Sequence, residues 1–299
     1  MNRLLLIALL HIFLSACGTD GTQAGRSVEA TSGEASQPAP EGKLFIIGGG
    51  KRPPELVQEL VEVSGIDSGG YAVVLPMSSA EPDSAAYYSI RQFTELGLPA
   101  ERLVAYNFQP GDYPKAAVDS LRKAGLIYIT GGDQNRFMDI VAGSPVYDAI
   151  HDAYQLGATV AGTSAGAAVM GRSMITGNEK KHPEYTGEFR TIEADNMILD
   201  EGLGLLPQAI VDQHFIYRMR MNRLISVVLE NPGQVGIGID ESTAIVVERG
   251  QLARVVGDWQ VILLRHSEGG TQVQHGLLGG RGLELSVLLP GDSFQLSQN

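Results

Sequence analysis

The chain is poor in several things, and each shortage excludes a class of protein. It has one cysteine, Cys17, in 299 residues, so no internal disulfide framework and no cysteine-based zinc site can form. Basic residues are scarce: 22 Lys and Arg stand against 34 Asp and Glu, a net charge of −12. No long basic block is present to follow a phosphate backbone, and nucleic acid is not expected as a partner. Aromatic residues are 6% of the chain, with a single tryptophan. Long apolar runs are missing except at the start, although 43% hydrophobic residues suffice for a sizeable core.

That one apolar run lies in residues 1–16, MNRLLLIALLHIFLSA, with Arg3 ahead of a stretch from Leu4 to Leu14. It is too short to span a membrane comfortably and reads as a signal peptide. The junction Leu14-Ser15-Ala16-Cys17 resembles a bacterial lipobox, so cleavage before Cys17 would leave a lipidated residue tethering a soluble body to the cell envelope. Residues 17–42 are Gly, Ser, Thr, Ala, Glu and Pro with almost no large aliphatic side chain. Such a segment buries too little apolar surface to offset its ordering entropy and reads as a flexible linker. The expected organisation is a signal peptide over 1–16, a linker over 17–42 and one domain over 43–299.

From Lys43 onward, short apolar runs alternate with segments of helical spacing. Strands are expected at Lys43 to Gly50, Tyr71 to Pro76, Leu103 to Tyr106, Leu126 to Thr130 and Ala158 to Ala161. Helices are expected at Pro53 to Ser64, Ser84 to Leu96 and Lys115 to Ala124, with one more from Asn135 running on to Leu156. This alternation predicts an α/β fold with a mostly parallel sheet, helices on both faces and ligands at the carboxyl ends of the strands. Thr243 to Glu248, Leu252 to Val256 and Val261 to Arg265 read as antiparallel additions at one sheet edge.

Gly162-Thr163-Ser164-Ala165-Gly166 follows the last strand of the alternating part and fits the G-x-S-x-G elbow that thrusts a serine hydroxyl outward. The N–H of Ala165 is then placed to receive a developing oxyanion. Gly131-Gly132-Asp133-Gln134 ends another strand, where a second oxyanion N–H can arise at Gly132; a bare turn explains those letters equally well. Gly48-Gly49-Gly50 suggests a dinucleotide loop only weakly, because G-x-G-x-x-G would need glycine at Pro53. His214 sits in Val211-Asp212-Gln213-His214-Phe215, followed by Arg218, Arg220 and Arg223. A cationic cluster in an acidic protein points to a carboxylate-bearing ligand; its plain alternative is a solvated helix face. Gly236 to Glu241 is an apolar strand ending in two acids, either of which can orient a histidine, and spacing does not choose between Asp240 and Glu241.

The segments GGDQ, GTSAGA, DQHF-x-x-R-x-R-x-x-R-L and GIGIDE-x-T-A, in this order, resemble the cyanophycinases of serine peptidase family S51, which also holds α-aspartyl dipeptidases. The resemblance implies a three-layer α/β/α sandwich like that of class I glutamine amidotransferases. It makes Ser164 the nucleophile, His214 the general base and Glu241 the orienting acid, and it places Gln134, Asp212, Gln213, Arg218, Arg220 and Arg223 in the substrate pocket. The implied activity is an exported serine exopeptidase acting on cyanophycin and releasing β-Asp-Arg dipeptides, with no cofactor or metal. A homodimer is compatible with it. An aspartyl or isoaspartyl dipeptidase is the enzymatic alternative, and a non-catalytic surface binding lipoprotein the other. The order serine, histidine, acid differs from that of α/β-hydrolases and argues against a lipase.

Overall fold

Side chains along the first strand, Leu44, Phe45, Ile46 and Ile47, are all buried, so this strand needs cover on both faces. A computed structural model of the protein supplies it. The structure describes residues 39–266 and 269–297; the expected signal peptide, the Cys17 lipobox and the linker up to residue 38 lie outside the described residues. Gly42 already belongs to the fold: its N–H donates to the Tyr154 carbonyl at 3.0 Å, and a Cβ there would meet Ala158 and Tyr154 carbonyl oxygens at 2.3 and 2.4 Å.

In the first half, strands β1 (Lys43–Ile47), β2 (Ala72–Leu75), β3 (Leu103–Ala105), β4 (Leu126–Ile129) and β5 (Thr159–Thr163) are interleaved with α1 (Pro54–Ser64), α2 (Pro82–Thr94), α3 (Lys115–Leu121), α4 (Gln134–Val141) and α5 (Pro145–Gln155). The second half runs α6 (Ala165–Ala168), β6 (Ser173–Glu179), β7 (Met197–Glu201), β8 (Ala209–Gln213), α7 (Met221–Glu230), β9 (Val235–Ile239), β10 (Thr243–Glu248), β11 (Leu252–Gly257) and β12 (Val261–His266). It closes with β13 (Thr271–Gln274), β14 (Leu277–Gly280), β15 (Leu283–Leu288) and β16 (Ser293–Gln295).

The main sheet has the order β16-β11-β10-β1-β5-β4-β2-β3. Its β1, β5, β4, β2 and β3 neighbours are parallel, while β10, β11 and β16 are antiparallel. Alternation along the strands sorts the core into two layers. Leu44, Ile46, Val73, Leu75, Ile127 and Ile129 pack with α3, α4 and α5. Phe45, Ile47, Val74, Tyr128 and Ala161 pack with Leu56, Leu60 and Phe93 of α1 and α2. Each fully buried aliphatic or aromatic side chain contributes roughly 1.5–3 kcal/mol of transfer free energy, and the resulting α/β/α sandwich is the expected class.

Two expectations are corrected. The helix expected from Asn135 to Leu156 is two helices: Gly143 takes φ +65°, and the Ser144 hydroxyl accepts from the Val146 N–H at the start of α5, with Pro145 at its first position. Cap and proline chemistry overrides the continuous apolar periodicity. Second, β12 does not extend the main sheet. It joins β15, β9 and β8 in a separate sheet of order β15-β12-β9-β8, because Leu263 and its neighbours pair with Ile237 of β9. In that sheet β8 and β9, which lead into residues of the candidate site, are parallel neighbours joined through α7, a second β-α-β unit outside the main sheet. Among the described residues no helix is long and apolar enough to cross a membrane.

Candidate active site

Ser164 follows the carboxyl end of β5, and its backbone has φ +54° and ψ −112°, a sparsely populated conformation for a residue with a side chain. Such strain costs of order 1–3 kcal/mol and persists only where the surroundings enforce it. Here the two glycines of the elbow do so by close approach rather than by their own backbone angles. A Cβ at Gly162 would lie 2.1 Å from the Gly166 carbonyl oxygen, and one at Gly166 would lie 2.4 Å from that of Ile129. The helix after the serine, α6, has only four residues, so its dipole is small; the first-turn N–H of Ala165, next to the nucleophile, has no acceptor inside its own helix.

His214 follows β8, and Glu241 lies two residues beyond β9. The Ser164 hydroxyl and His214 Nε2 are 2.9 Å apart, and His214 Nδ1 and Glu241 Oε1 are 2.6 Å apart. Burial pushes the His214 imidazole below its ordinary pKa; the Glu241 hydrogen bond works the other way, and the cations of Arg218 and Arg220 add to the lowering. A neutral imidazole with Nδ1–H donating to Glu241 leaves Nε2 free to accept the serine proton. Glu241 and Asp240, adjacent in sequence, have different jobs. Asp240 Oδ1 accepts from the Tyr217 N–H at 2.9 Å and so holds the turn after His214.

The glycine run after β1, which resembles no cofactor loop, forms the seam between the two sheets. The Gly48 carbonyl accepts from His214 N–H at 2.7 Å, and the Gly49 carbonyl accepts from Ser242 N–H at 3.0 Å. A Cβ at Gly49 would sit 2.4 Å from the His214 ring, and one at Gly50 2.6 Å from Glu241 Oε2. These glycines let the backbone back directly onto the histidine and the acid. Gly238 serves the same end from β9, since a Cβ there would meet the Phe215 ring at 2.4 Å.

A cleft of about 260 Å³ opens beside Ser164 and is lined by Gly132, Asp133, Gln134, Tyr185, Gln213 and Arg218 among others. Gly132, at φ +144°, packs so tightly on Ser78 that a Cβ would lie 2.1 Å from its carbonyl oxygen. Gln134 is buried, and its amide nitrogen donates to the Ile175 and Thr176 carbonyls at 2.8 Å each, pinning β6 to the cleft wall. Arg218 is exposed.

The other two arginines behave differently from either expectation, a substrate clamp or a solvated helix face. Arg220 and Arg223 touch the cleft but are buried, at 4% and 2% exposure. Arg223 binds Asp212 through Nε at 2.6 Å to Oδ2 and through a second guanidinium nitrogen to Oδ1, and its guanidinium lies 4.6 Å over the Phe189 ring. Arg220 donates to the Gln213 carbonyl at 2.6 Å and to Gln213 Oε1 at 2.5 Å. Burial, and next the charge of Arg223, lower the Arg220 pKa to about 10. Asp212 is completely buried, does not line the cleft, and is occupied by its own arginines. The expectation that it belongs to the substrate pocket is therefore corrected: a buried carboxylate already engaged by a bidentate arginine has no exposed lone pair to offer a ligand. Of the expected pocket residues, Gln134, Gln213 and Arg218 line the cleft, Arg220 and Arg223 form its inner floor, and Asp212 lies behind them.

Asp133, Asn178 and Tyr185 also line the cleft and were not among the expected site residues. Asp133 stood inside the Gly131-Gly132-Asp133-Gln134 motif and was readable as a helix cap. Tyr185 lies in a stretch without periodicity between β6 and β7, where sequence spacing carries no signal. Among the described residues no group of three or more His, Cys, Asp or Glu could hold a metal ion.

Comparison with known proteins places this geometry. The model of peptidase family S51 matches residues 44–255. A cyanophycinase from Nostoc sp. is 33% identical over 91% of this chain and 90% of its own length. One from Trichormus variabilis is 34% identical with the same coverage, and one from Geminocystis herdmanii is 30% identical over 84% of this chain and 92% of its own. The crystal structure of a peptidase from an acI-B1 Actinobacterium shares the fold, with a TM-score of 0.62 and 23% identity over 85% of this chain and 96% of that one. The chain belongs to peptidase family S51 and is a serine-type peptidase.

Proposed function

We propose that this protein is an exported serine exopeptidase that hydrolyses cyanophycin, a poly-aspartate backbone with arginine on each β-carboxyl, to β-Asp-Arg dipeptides. The observation that carries the reading is the hydrogen-bonded chain Ser164, His214, Glu241 at the edge of an arginine-bearing cleft, in a chain about one third identical to proteins named cyanophycinase. Ser164 Oγ attacks the scissile carbonyl as its proton passes to His214 Nε2, and Glu241 stabilises the imidazolium through Nδ1–H. The N–H groups of Ala165 and Gly132 receive the oxyanion. Collapse expels the amine, which takes the proton from His214, and a water activated by the same histidine then releases the acyl group. Arg218 offers its exposed guanidinium to the free carboxylate that each substrate arginine retains.

Export and lipid anchoring through Cys17 are part of the proposal and rest on residues 1–17 alone; replacing Cys17 by serine should move the mature protein from the membrane fraction to the soluble exported fraction. The function is tested by incubating the protein with insoluble cyanophycin and weighing the soluble products. The mass of an aspartyl-arginine dipeptide supports the reading, and intact polymer beside rapid cleavage of small aspartyl dipeptides would replace it with a dipeptidase.

A further inference from the structure

Two charged side chains that line the cleft are exposed to a ligand. Arg220 and Arg223 are buried and engaged by Gln213 and Asp212. Arg218 is exposed, and facing the same space is Asp133, the only carboxylate among the described residues that line it. One Asp133 oxygen is committed: Oδ1 accepts from the Asn135 N–H at 2.9 Å, capping α4. The other has no hydrogen-bond partner among the described residues, and the Asp133 backbone is fixed by its own N–H, which donates to the Ser78 carbonyl at 2.8 Å. The cleft thus presents one anchored anion and one cation, a pattern that suits a ligand carrying both charges.

We infer that Asp133 is a specificity-determining residue that recognises the guanidinium of the substrate while Arg218 takes its carboxylate. The assignment rests on the proposed reading of this cleft as the peptidase's substrate site, and it places the pocket's acidic group at Asp133 rather than at the buried Asp212. A carboxylate accepts a guanidinium in a charge-assisted hydrogen bond that a neutral urea group of the same shape does not match. Because Asp133 is exposed, the discrimination should be modest, on the order of tenfold.

The test uses two soluble oligomers of aspartate, one bearing arginine on each β-carboxyl and one bearing citrulline, the neutral isostere. The variant is Asp133→Asn, which keeps the α4 cap because asparagine caps as well as aspartate. The wild-type protein should favour the arginine oligomer by about tenfold in kcat/KM, and in Asp133→Asn the ratio should fall to near one. An unchanged ratio in the variant, an equal loss on both oligomers, or no preference in the wild type would each overturn the assignment. The same pair of ligands is titrated by calorimetry against Ser164→Ala with and without Asp133→Asn. If the wild type cleaves neither oligomer, the proposed function fails, yet an arginine preference in Kd that disappears with Asp133→Asn still upholds the inference, and its absence overturns it.

Discussion

Replacing Arg223 by alanine should be primarily a stability lesion, in contrast to the behaviour of a residue that only grips substrate. Its guanidinium binds both oxygens of Asp212, and the two side chains are 3% and 0% exposed. Removing it strips a charge-assisted bidentate pair and the contact over Phe189, and leaves the buried carboxylate with only the guanidinium of Arg220, 3.7 Å away. Breaking a buried ion pair from one side costs about 3–5 kcal/mol, because the remaining charge stays desolvated. Partial compensation by Arg220 places the loss near the lower end, about 3 kcal/mol, which for a domain of this size is roughly 6–12 °C in Tm. Asp212→Ala should be worse, since it leaves two buried cations. The double replacement Arg223→Met with Asp212→Leu, which removes the charges together, should be more stable than Asp212→Ala alone. Thermal unfolding monitored by near-UV circular dichroism, with urea titration to check that the slope is unchanged, measures all three. A Tm for Arg223→Ala within about 2 °C of the parent, well short of the shift expected for a buried pair, would refute the reasoning and return Arg223 to a binding role.

Ser164→Ala should lower peptidase activity by on the order of 10^4-fold or more with the fold retained, since the triad acts as a unit; near-normal turnover would remove Ser164 from the mechanism. Glu241→Gln should cost on the order of 10^2-fold or more in kcat through loss of imidazolium stabilisation, and Asp240→Asn, whose amide oxygen can still accept from Tyr217, should cost less; the reverse order in a steady-state assay would reassign the acid. Because His214 must be neutral to accept the proton and its pKa lies below the ordinary histidine value, kcat/KM should fall with acid only below that ordinary range. Arg218→Gln should move this acid limb upward in pH, because one of the charges lowering the imidazole is gone; a limb that stays in place would show that Arg218 does not act on His214.

The parallel β-α alternation up to Ser164 was legible because β2, β4, β5 and all but the first residue of β1 are buried on both faces and the helices between them show apolar stripes. The G-x-S-x-G elbow was legible too, though the reason for its glycines lay in contacts with the Ile129 carbonyl and within the elbow itself. What could not be read was partnership across the chain. Nothing in the spacing of Arg218, Arg220 and Arg223 says that two of them turn inward; that follows from the turn after β8, which brings Arg223 of α7 back onto Asp212, eleven residues earlier. Likewise Gly48, Gly49 and Gly50 are uninformative until His214 and Glu241 stand against them. The choice between Asp240 and Glu241 is a matter of which side chain leaves the end of β9 toward the imidazole, and a one-residue difference in direction has no compositional signature.

The seam built on Gly48 to Gly50 ties catalysis to segments far apart in the chain, since it is closed by His214, Glu241 and Ser242. The nucleophile stands on one sheet and its base and acid on the other, and the strand that joins them, β1, is the earliest in the described order yet pairs with β10, some 200 residues later. A chain folded only through β5 and α6 therefore carries the serine without the groups that activate it. Contacts of such long sequence separation are slow to form, so hydrolytic competence should be the last property to emerge on refolding, after most of the helical signal has returned. Activity that returned with the first helical signal would show that the two sheets meet early in folding.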